Sequence, residues 1–98
     1  MTPRLFVRRQ ARSEMAAAFR WYEERSEGLG HDFLRVVSVA FTAIAREPTY
    51  CPIALDDIRM LPLRRFPYVV YFVETPRGVS VLAVIHERRH PRRWQSRR

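Results

Sequence analysis

Arg64-Arg65-Phe66-Pro67-Tyr68-Val69-Val70-Tyr71-Phe72-Val73-Glu74, then Thr75-Pro76-Arg77-Gly78, then Val79-Ser80-Val81-Leu82-Ala83-Val84-Ile85-His86 is the stretch whose reading decides the fold. Both long runs are continuous in β-branched and aromatic residues, so both sides of each strand are apolar, the pattern of central strands rather than half-wet ones. Pro76 and Gly78 mark a tight turn between them. The expectation is an antiparallel core hairpin whose outgoing strand delivers Glu87-Arg88-Arg89-His90-Pro91-Arg92-Arg93-Trp94 to one end of the sheet. Arg65 begins one strand where His86 ends its partner, so antiparallel pairing brings them to the same end.

Working outward, Leu5-Phe6-Val7 between Arg4 and Arg8-Arg9 reads as a short strand with charged ends, suited to a sheet edge. From Ala11 to Arg25, Met15, Ala18, Phe19 and Tyr22 fall on one helical face, with Trp21 at its border. Ser26-Glu27-Gly28-Leu29-Gly30 ends that helix through its glycines. A second helix is expected from Asp32, as N-cap, to Arg46, with Phe33, Val37, Ala40, Phe41 and Ile44 inward and Pro48 as the stop. The short connection makes the two an antiparallel hairpin. Thr49 to Asp57, with Pro52 and two acids, reads as a loop. Ile58 to Leu63 reads as a strand distorted near Pro62. The order β-α-α-β-β-β predicts an α+β domain, a helical hairpin packed on one face of a mainly antiparallel four-stranded sheet.

A chain of 98 residues makes one domain with one modest core, here residues 1–98 with 90–98 as a basic tail. No apolar run reaches membrane-spanning length and the basic N-terminus is not followed by a signal-peptide hydrophobic region, so a cytoplasmic protein with no membrane partner is expected. The single Cys51 lies outside any metal-ligand spacing; no metal, structural zinc or other cofactor is implied. A net charge of +8 points to an anionic partner. All eighteen basic residues are arginine. Coding bias is the simpler origin of that, but arginine clamps phosphates and carboxylates and is a poor proton shuttle.

The short first strand, the helix ending in Trp21-Tyr22, Arg65-Phe66-Pro67-Tyr68 leading into a strand, His86-x-Arg88-Arg89-x-Pro91 leading out of the next, and Trp94 soon after together resemble the RelE/ParE superfamily of bacterial toxin–antitoxin toxins. The resemblance spans nearly the whole chain and implies a small toxin held inactive by a cognate acidic antitoxin, a pairing that allows a toxin–antitoxin hetero-oligomer. RelE-like members cut mRNA on the ribosome, whereas ParE-like members inhibit DNA gyrase. RelE-like sites commonly carry lysines and a C-terminal tyrosine. Here there is no lysine and the last tyrosine is Tyr71, mid-strand, while the Arg-Phe-Pro-Tyr lead-in is more at home among ParE-like and plasmid-stabilisation members, so the ParE-like reading is preferred. A non-toxic basic RNA-binding or regulatory module is the third reading, because basic charge with interspersed aromatics suits an inhibitor, a nuclease and a passive binder alike.

Under the ParE-like reading Arg65, His86, Arg88, Arg89 and Trp94 form the target-binding surface. Under the RelE-like reading Arg65, His86 and Arg89 become catalytic, with the arginines on the phosphate, His86 or His90 moving protons and Trp94 stacking on a base. Each has a plainer reading. Phe66-Pro67-Tyr68 starts a strand and fills core; His86 is a backbone-bonded histidine at a strand end; Arg88 and Arg89 are a solvated rim. Trp94 either folds back on the sheet or meets a partner. Arg92, Arg93, Arg97 and Arg98 form a mobile tail of nonspecific attraction, and Asp56 and Asp57 a solvated loop. For the antitoxin, an apolar groove with cationic rims near the helical hairpin is expected. Val36 and Val39, off the main stripe of the second helix, are its candidate residues, unless they face the sheet instead.

Overall fold

The structure is a computed structural model that describes residues 4–88 and 93–97. The elements are β1 (Arg4–Val7), α1 (Arg9–Arg25), α2 (Leu29–Arg46), a 3₁₀ turn (Pro48–Tyr50), β2 (Ile53–Leu55), β3 (Ile58–Pro62), β4 (Tyr68–Thr75) and β5 (Gly78–His86). The sheet order is β1-β5-β4-β3-β2, with β1 parallel to β5 and the other pairs antiparallel. The two apolar runs are therefore interior strands, β5 flanked on both sides and β4 lying between β5 and β3. Short, charged β1 takes one edge, and Gly78 lets it approach: at φ 140°, a Cβ there would lie 2.1 Å from the Arg4 carbonyl oxygen.

The sheet has five strands, not four. The segment expected to be a loop, Thr49 to Asp57, contains the end of the 3₁₀ turn and β2. Asp56-Asp57 makes a two-residue turn that folds β2 back on β3, with Asp56 at φ 52°, a conformation aspartate tolerates better than most residues. The Arg59 guanidinium then ties the segment down through the Cys51 carbonyl at 2.7 Å. Local composition marks a loop; pairing with β3 makes it a strand.

The helix junction also departs from expectation. α2 starts at Leu29, with Gly28 as its N-cap in the left-handed region at φ 88°, so Asp32 lies inside the first turn and caps nothing. Gly30 does not end α1 but sits in α2, where a Cβ would come 2.6 Å from the Phe19 carbonyl oxygen; glycine is what lets the two helices approach. The Glu23 carboxylate supplies the cap instead, accepting the backbone N–H of Gly28 at 3.0 Å and of Gly30 at 2.8 Å. Those bonds, Gly28 first, hold its carboxyl below the ordinary range.

Both faces of the sheet are covered. On one, Ala11, Ala18 and Tyr22 of α1 and Phe33, Val37, Ala40 and Ile44 of α2 pack on Val70, Phe72, Val79, Val81 and Val84. On the other, Val73, Leu82, Ala83 and Ile85 meet Ile58 and Trp94. A bulge divides β5 between them: Tyr71 pairs with Ala83 and Phe72 with Val81, leaving Leu82 as the extra residue. The extra residue shifts the alternation by one, so Val79, Val81 and Val84 all reach the helices while Leu82 and Ala83 both turn to the back.

The tail does not behave as a free end over residues 93–97. Trp94 is buried and stacks on Tyr71 with ring centroids 4.1 Å apart. Arg97 bonds Glu14 at 2.8 Å and the Leu82 carbonyl at 3.3 Å, while its own carbonyl accepts from Arg8. β1 ends opposite Val81, so the β5 edge beyond it has no partner strand. Glu14, accepting the Val84 N–H at 3.1 Å, and Arg97 on Leu82 take the places of one.

Candidate functional site

The register places Tyr68 opposite His86, and the Glu87 N–H continues the ladder by donating to the Pro67 carbonyl at 2.9 Å. Arg65 stands just before the strand rather than in it. Its φ of 71° and the 2.7 Å bond from the Phe66 N–H to the Arg64 carbonyl define a γ-turn of the rarer positive-φ kind, and the Tyr68 N–H to the Phe66 carbonyl closes a second γ-turn around Pro67. An arginine in that region costs about 1–3 kcal/mol of backbone strain and persists only where the surroundings hold it. Two holds are present. Phe66 is buried against Tyr22 and Phe33, at centroid distances of 4.9 and 5.4 Å, and the Arg65 guanidinium bonds Asp32 of α2 at 3.2 Å.

Asp32 is shared. One carboxylate oxygen takes Arg65 and the other takes Arg35, one turn along α2. The two guanidiniums, Arg35 foremost, hold its carboxyl below the ordinary range.

His86 lies on the helix side of the same end, its ring 5.4 Å from that of Tyr68. Its Nδ1 accepts the Arg88 N–H at 3.1 Å, which assigns the ring proton to Nε2 in the neutral form. It lines a small cleft of about 260 Å³ with Glu14, Trp21, Tyr68 and Arg93. His86 and Arg93 share this cleft, Arg88 follows His86 out of the strand, and Arg64 and Arg65 precede the paired strand at the same end of the sheet, all four arginines exposed. Such a set recognises carboxylates or phosphates. Arg89 and His90 lie outside the described residues. Trp94 is buried on the opposite face, stacked on Tyr71, so its ring is not offered to a base or a partner.

A second surface runs beside the first. Between α2 and β3 a groove of about 530 Å³ has Val36, Val39, Ala40 and Ala43 on its helical wall, Leu61, Pro62 and Leu63 on the other, and Arg35 and Arg64 at its rim. Val39 is 71% exposed, so it faces this groove and not the sheet.

Sequence reasoning missed the two carboxylates that organise these surfaces. Glu14 sits three residues after buried Ala11 and four before buried Ala18, an acid on the inward stripe of α1, and that spacing was its signal. Asp32 carries no such mark, because its partner Arg65 is thirty-three residues away. Among the described residues no group of three His, Cys, Asp or Glu gathers to hold a metal, and no helix is long and apolar enough to cross a membrane.

No protein-family profile matches the chain, and no curated protein matches it in sequence. Among solved structures it is similar to a chain of the chromosomal ParDE TA system from P. aeruginosa, with a TM-score of 0.77 at 15% sequence identity, covering 87% of this chain and 96% of that one. The likeness is one of fold, and it is the fold that the RelE/ParE resemblance predicts.

Proposed function

We propose that this chain is the toxin half of a type II toxin–antitoxin pair, ParE-like, which inhibits DNA gyrase through the arginine and histidine end of its sheet and is neutralised by an acidic antitoxin seated in the α2 groove. The observation that carries the reading is the shared fold: a TM-score of 0.77 over nearly the full length of both chains, the other belonging to a ParDE TA system. The groove supports the antitoxin half. Its apolar walls fit one face of an amphipathic segment, and Arg35 and Arg64 would meet acidic residues flanking that face.

The preference for gyrase over mRNA as the target rests on the fold shared with a ParDE TA system. The burial of Trp94 removes it from the contact surface under either reading, and His86 is the proton-transfer group that the endonuclease reading would use.

The test sets purified protein against gyrase supercoiling in one reaction and translation with mapped mRNA ends in another. The expected result is loss of supercoiling with intact mRNA. Arg65→Ala should need about tenfold more protein for the same inhibition, as befits loss of one charge-assisted contact, while keeping its circular dichroism spectrum. Ribosome-dependent cuts would replace this reading with the endonuclease one, and no effect in either reaction would favour the non-toxic binding module.

A further inference from the structure

We propose that Asp32 is a positioning residue that couples the α2 groove to Arg65: its carboxylate is divided between Arg35 on the groove rim and Arg65 at the sheet end, so an acidic partner that takes Arg35 leaves Asp32 to Arg65 alone and holds that guanidinium back from the target. The inference rests on the reading of groove and sheet end given above and adds to it a path by which one surface is felt at the other.

The geometry supplies each link. Arg35 lines the groove, 72% exposed and reachable by a partner's carboxylate. It shares Asp32, 31% exposed, with Arg65, 57% exposed. The carboxylate has two oxygens and each already holds one guanidinium, so Arg35 and Arg65 draw on the same charge. Arg65 is also the residue held in a strained turn, and the Asp32 bond ties its guanidinium to α2 beside the packing of Phe66 on Phe33. Both pairs are solvent-screened, which makes the coupling small, about two- to fivefold.

The experiment uses the ¹⁵N-labelled full chain and follows rotation of the Arg65 guanidinium about its Nε–Cζ bond, the signal being assigned by its disappearance in Arg65→Ala. Arg35→Ala stands in for capture of Arg35 by a partner. It should slow Arg65 rotation about two- to fivefold. Asp32→Asn should make rotation faster than in the parent chain, and the double variant should match Asp32→Asn, because without the carboxylate there is nothing to redistribute. In the supercoiling assay Arg35→Ala should need about two- to fivefold more protein for half-inhibition, and adding it to Asp32→Asn should change nothing.

An Arg65 rotation rate unmoved by Arg35→Ala, or moved equally with and without the Asp32 carboxylate, overturns the coupling. A parent chain that leaves supercoiling intact overturns the gyrase reading instead, and the rotation rates still decide the coupling. Thermal midpoints of the variants separate either result from misfolding.

Discussion

Glu23 makes the helix junction depend on one carboxylate. Its two oxygens accept the N–H groups of Gly28 and Gly30, donors that the start of α2 would otherwise leave without an intrahelical partner. Because its folded pKa lies below the ordinary 4.5, the stabilisation is complete above that value and is lost as pH falls through the lower, folded one. Glu23→Gln should therefore lower the thermal midpoint at neutral pH, and the gap from the parent chain should close in melts recorded progressively below pH 4.5. Gly30 belongs to the same contact from the other side. Gly30→Ala would push a methyl onto the Phe19 backbone, so a drop in midpoint is expected although alanine is the better helix former.

Among the elements, the tail strap, residues 93–97, closes the back face of the sheet. Trp94 covers the back face through Tyr71, and Arg97 reaches Glu14 with the two side chains only 10% and 16% exposed. Trp94→Ala should cost about 3–5 kcal/mol, the usual range for deleting a buried large aromatic. Arg97→Ala should cost about 2–3 kcal/mol, since it removes the partner of a mostly buried carboxylate and the donor to Leu82. Urea unfolding read by circular dichroism checks both. If either variant is as stable as the parent, the strap is not part of the fold's support.

At the scale of the molecule, charge and layering act together. A net charge of +8 on 98 residues gives long-range attraction to any acidic partner, and that attraction is screened by salt. Association with the antitoxin should slow markedly between about 50 and 300 mM salt, where the Debye length falls below about 10 Å, while dissociation from the apolar groove changes much less. Stopped-flow rates at several salt concentrations measure the two separately. The two packed faces share β4 and β5, so the domain should unfold as one unit. In a Trp21→Phe background, Trp94 fluorescence and circular dichroism should trace the same urea transition. Earlier loss of the fluorescence signal would show the strap opening by itself.

The sequence by itself determined the interior hairpin, the helical pair and the α+β class. Continuous β-branched runs can only be buried on both sides, and a 3.6-residue stripe needs an apolar surface to cover. It also determined which strand ends would meet, that of Tyr68 with that of His86, because antiparallel pairing follows from the turn at Pro76 to Gly78. The tertiary structure alone decided the fifth strand, the shift of alternation at Leu82, the docking of Trp94 and the charges that face one another. Each of these depends on a contact between residues far apart in the chain: Leu55 beside Ile58 only once Asp56 turns left-handed, Arg97 against Glu14, Arg65 against Asp32. Periodicity records which side of an element is buried. It does not record what lies across from it, and in this protein the carboxylates that hold the arginines in place lie across.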